Sequence, residues 1–70
     1  MSFPMASLDR VEELLIEAGR LLDQAADQIR DLELAPEQNI RTIAEALAKI
    51  SDVRLEIYKV RPDLRPDYFR

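Results

Sequence analysis

Asp23, Asp27 and Asp31 stand four residues apart, and Glu13 and Glu17 repeat the spacing upstream. Carboxylates in this number are the raw material of hard-cation sites and of acid–base pairs. Calcium and magnesium, however, need oxygens that converge. Three carboxylates at i, i+4 and i+8 of one helix form a straight row that diverges into solvent, and their spacing matches no calcium loop. Di-metal carboxylate bundles combine glutamates with Glu-x-x-His on facing helices, and this chain contains no histidine. The acidic row, with Arg20 and Arg30 nearby, reads as a solvated face. No metal and no cofactor is expected.

The other reactive groups are equally poor. Without cysteine or histidine there is no thiolate and no imidazole. Ser7 and Ser51 have no base to activate them. Lys49 and Lys59 read as exposed helix residues. Tyr58 and Tyr68 remain as proton donors, and Arg54 falls at the edge of an apolar stripe, where its head can snorkel outward. The chain is expected to be no enzyme.

Those residues must be held by helices. Of the 70 residues, 47% are apolar, 34% are charged and one is glycine, a composition that suits a helix-rich fold rather than disorder. A formal charge of −4 disfavours nucleic acid as the partner. No uncharged run approaches the ~20 residues of a membrane span. The start, MSFPMASL, has neither a basic leader nor a long apolar run, so no signal peptide is read there. A cytoplasmic location is the expectation.

Residues 1–6 read as an N-terminal arm. Ser7 can cap a first helix, expected over 7–33, with Asp9, Glu12 and Glu13 near its positive end. Leu8, Val11, Leu15, Ala18, Leu22, Ala25, Ile29 and Leu32 alternate intervals of 3 and 4, which is a heptad seam widened by Leu14 and Leu21. Ala18, Gly19, Ala25 and Ala26 form a low patch suited to close packing of another helix. ELAPEQ ends this helix, and Pro36 suits the first position of a second, expected over 36–60. So short a connection implies antiparallel neighbours.

The second helix carries two apolar lines. Ile40, Ile43, Leu47, Ile50, Val53, Ile57 and Val60 form the main stripe. Ala44, Ala48, Ser51, Leu55 and Tyr58 form a second, also at intervals of 4 and 3. One neighbour cannot easily cover both, so the second line is the expected self-association surface. Two hairpins would then complete a four-helix bundle, and a homodimer is the favoured oligomer. A chain this short needs such help, since it has no disulfide to staple a small core.

The end, RPDLRPDYFR, breaks the helical rhythm. A residue before proline avoids the α region, so Arg61 marks the end of helix two and 61–70 is expected to be a non-helical tail. In an antiparallel hairpin Arg61 or Arg65 comes near Asp9 or Glu13. Leu64, Arg65, Tyr68 and Phe69 pack on the bundle or on a sister subunit, dock a foreign protein, or stay disordered. The expected fold is therefore all-α: a two-helix hairpin that dimerises and serves as an interaction or assembly module. The alternative is an accessory subunit that docks a larger enzyme through 61–70.

Overall fold

The computed structural model describes residues 7–66. Helix α1 spans Leu8–Asp31 and helix α2 spans Pro36–Val60, followed by one 3-10 turn at Pro62–Leu64. No strand occurs among the described residues. The two helices lie side by side and antiparallel, as an all-helical hairpin.

Ser7 starts α1 as a capping residue should. Its backbone is extended, and its hydroxyl accepts the Arg10 backbone N–H at 3.1 Å. Such a cap is worth about 1 kcal/mol. The helix stops at Asp31, two residues short of the expected 33, because Glu33 turns left-handed at φ 53°. That turn lets the Leu34 N–H donate to the Ile29 carbonyl at 3.0 Å and the Glu33 N–H donate to the Arg30 carbonyl at 3.2 Å. This pair of bonds usually closes over a glycine. Ala35 is left-handed too, at φ 38°. Asn39 braces the turn by donating from Nδ2 to the Leu34 carbonyl at 2.8 Å. Pro36 then opens α2 at a position where its missing N–H costs nothing.

At the far end of α2 the tail departs from expectation. It is not wholly non-helical, because Pro62–Leu64 make a single 3-10 turn. Here the Leu64 N–H donates to the Arg61 carbonyl at 3.1 Å and the Arg65 N–H to the Pro62 carbonyl at 3.2 Å. Tyr68 and Phe69 lie outside the described residues.

Burial is concentrated at the open end of the hairpin, away from the connecting turn. Among the described residues only Ile57, Tyr58 and Glu12 are buried, at 5%, 6% and 5% exposure, and no side chain is fully enclosed. Leu15, Leu22, Ile29, Ile40, Ile43, Leu47 and Ile50 are half-buried. Two helices forming a single layer cannot enclose more than the strip between them.

Candidate functional site

The contact between the helices does not follow the centre of either apolar stripe. On α1 the inward residues include Glu12, Gly19 and Ala26, while Val11 and Ala25, each one position earlier, are exposed. On α2 Arg54 turns inward, while Val53 and Val60 of the expected stripe are exposed. A straight helix drifts against a strict heptad, so a seam read as 3.5-residue steps wanders from the true contact line. Both helices are displaced in the same sense, and the apolar arc is therefore covered along one edge only.

The two sides of the hairpin differ in consequence. One side carries shallow grooves lined by Ile16, Arg20 and Asp23 of α1 with Ser51 and Arg54 of α2, continued towards the turn by Asp27, Arg30 and Ala44. The acidic row lies along this side, and no group of three or more candidate ligands converges on a metal position among the described residues. The opposite side is apolar. Val11, Leu14, Ala18, Leu21 and Ala25 run along α1 at intervals of 3 and 4, and Ala46, Ile50, Val53 and Val60 run along α2. Leu14, Leu21 and Val53 leave 50%, 51% and 49% of their surface in water. Leu22, Ile43 and Ile50 are half-buried between the helices, and Ile43 and Ile50 also line the grooves of the other side.

At the open end stands the one polar cluster that is buried among the described residues. Glu12 Oε1 accepts from Arg54 Nε at 3.0 Å, and Oε2 accepts from Arg54 Nη2 at 3.3 Å. The Tyr58 hydroxyl also donates to Oε2. The guanidinium lies 5.8 Å from the Tyr58 ring centre, within cation–π range. Burial, and then the Glu12 carboxylate beside it, hold the Tyr58 hydroxyl above its ordinary acidity range, so it remains a donor. Three donors converge on Glu12. Together they pin the two helices to each other.

These positions correct three expectations. Arg54 does not snorkel outward; its side chain is 12% exposed and pairs with Glu12. Glu12 is no mere dipole partner at a helix start. Tyr58 is buried by its own chain and so offers little to a neighbour. Sequence carried a signal for the pair. Glu12 lies between Leu8 and Leu15, and Arg54 between Ile50 and Ile57, at helical spacing. A charge flanked on both sides by inward apolar residues calls for a buried partner.

The remaining residues of the second line divide. Ala44, Ala48 and Leu55 are exposed and Ser51 is half-buried. Leu55 and Tyr58 share a shallow groove with Lys59 and Arg65, which is where the tail passes. Of the small residues, Ala18, Gly19 and Ala26 are half-buried and Ala25 is exposed. A methyl on Gly19 would meet Leu47 Cδ2 at 3.6 Å, an ordinary contact, so the approach of the helices does not depend on glycine. Arg61 holds the tail. Its Nη1 donates to Asp9 at 2.9 Å, and its Nε and Nη2 clamp Asp63 at 2.9 and 2.8 Å. That clamp, foremost the bond to Asp63, raises the Arg61 guanidinium further and lowers the Asp63 carboxyl. Leu64 is half-buried beside it and Arg65 is exposed.

No helix among the described residues is long and apolar enough to cross a membrane. No protein family, curated protein or solved structure matches this chain.

Proposed function

We propose that this chain is a non-catalytic assembly module that self-associates through the apolar side of its hairpin. The observation that supports this reading is the exposure of Leu14, Leu21 and Val53, each about half in water, on a continuous side that no charged residue interrupts among the described residues. Monomers rarely leave such a surface uncovered. The hairpin alone buries two apolar side chains among its described residues, and a small scaffold with so little interior needs a second layer. Docking two hairpins by this side makes a four-helix bundle.

The surface differs from the line first expected. Ala44, Ala48, Ser51 and Leu55 lie on the other flank of α2, which the grooves and the tail adjoin. In the alternative reading, residues 61–70 dock a larger enzyme, whereas residues 61–66 lie against their own chain through Arg61 and Leu64.

Sedimentation equilibrium tests the proposal. The full chain should sediment as a dimer at micromolar concentration, and Leu21→Glu should reduce it to monomer. A wild-type monomer that melts cooperatively, with Leu14 and Leu21 still exposed to solvent, would overturn it. A truncation after Val60 that still dimerises but loses a specific foreign partner would move the function to the tail.

A further inference from the structure

The apolar side is bordered by charge in an ordered way. On α1, Leu14 is flanked outward by Arg10 and Glu17, four residues before it and three after. On α2, Val53 is flanked by Lys49 and Glu56 at the same offsets. The register of the hairpin then fixes their heights. It sets Glu12 beside Arg54 and Gly19 beside Leu47. The same register puts Arg10 level with Glu56, and Glu17 level with Lys49. Each level thus has one positive and one negative edge, and the signs alternate along both helices.

We propose that two hairpins dock by their apolar sides with their open ends together, α1 of each over α2 of the other, so that Arg10 and Glu17 of one copy meet Glu56 and Lys49 of the second. This rests on the self-association proposed above and adds its geometry. A two-fold axis parallel to the helices keeps every residue at its own height while exchanging the two edges. Opposite charges then face each other at both levels and on both borders. The other closed arrangement places the axis across the helices and lays α2 over α2. Lys49, near the middle of α2, would then approach Lys49 of the second copy, and Arg10 and Glu56 would lie at opposite ends of the dimer. Like charges face each other there, and the complementary ones never meet.

The dimensions agree with a stable pair. Helices of 24 and 25 residues are about 37 Å long and make a layer about 20 Å wide. Face-to-face docking would bury roughly 1,400 Å² in total, within the range of specific interfaces. Arg10, Glu17 and Glu56 are exposed and already have ion-pair neighbours on their own helices, Glu13, Arg20 and Lys59. Lys49 has no such partner among the described residues. The border pairs select the orientation, and the apolar side supplies the affinity.

The test is a charge exchange in the full chain, read by sedimentation equilibrium. Arg10→Glu places an acid in the first turn of α1, and Glu56→Arg places a base near the end of α2. Both suit the helix dipole, so each chain should stay folded. Each variant alone puts like charges at two places in its homodimer and should dimerise roughly tenfold more weakly than wild type. An equimolar mixture of the two restores opposite charges at both places and should return to wild-type affinity. If wild type dimerises but the variants match it, or the mixture stays as weak as its components, the orientation is wrong while self-association stands. If wild type is a monomer, both proposals fall.

Discussion

A guanidinium 12% exposed and a carboxylate 6% exposed, joined at 3.0 Å, are stable only in each other's company. Arg54→Met leaves Glu12 dry and charged, and should cost about 3–5 kcal/mol in urea unfolding. That is a large part of the stability of any small domain. Adding Glu12→Leu removes the stranded charge. The double variant should recover most of the loss, because apolar replacements of a buried pair are often neutral or better. A double variant as weak as the single would mean that shape, not charge, holds the position. Tyr58 gives the same cluster a pH dependence. Its folded hydroxyl keeps its proton to higher pH than the unfolded one, owing to burial first and Glu12 second. Its contribution is complete below the unfolded value of about 10. It is lost as pH rises from there through the folded value. Thermal midpoints of wild type should fall across that alkaline range, and Tyr58→Phe should flatten the fall while lowering the midpoint at neutral pH.

The elements show what sequence makes legible and what it leaves out. The all-helical hairpin could be read from Ser7, the apolar intervals and Pro36, since caps and breakers act locally. The contact line could not. It depends on how two helices roll against each other, and a step of 3.5 or 3.6 residues decides whether Val53 or Arg54 faces inward. Nor could the turn be read in detail, because Glu33 and Ala35 adopt a conformation that composition disfavours. Glycine is misplaced in this respect. The chain has one, and it lies mid-helix, where a methyl would fit. Two substitutions should therefore stabilise the hairpin. Glu33→Gly relieves a left-handed residue at the helix end, and Gly19→Ala restores helix propensity, each by about 0.5–1 kcal/mol. Chemical denaturation of the two single variants and their combination checks both. The sites are 14 positions apart in sequence, and their gains should add. A loss at Gly19→Ala would show that the neighbouring helix comes closer in solution.

In the whole molecule, the best-made contacts lie as far from the connecting turn as the hairpin allows. Glu12 is 42 residues from Arg54 and 46 from Tyr58, and Asp9 is 52 from Arg61. The helices near the turn meet only through half-buried side chains. A collapsing chain therefore closes the turn first, for little gain, and zips towards a clasp that fastens last. Interactions absent from the transition state govern the rate of escape rather than of arrival. At fixed protein concentration, Arg54→Met should accelerate unfolding by roughly two hundredfold to several thousandfold in stopped-flow mixing and leave the refolding rate nearly unchanged. The reverse pattern would mean that the two ends find each other before the turn has formed. Pulling the chain apart from Ser7 and Pro66, which leave the hairpin at the same end, would load the clasp before any other contact. Under tension the protein should resist sharply at first and then peel open with little further force.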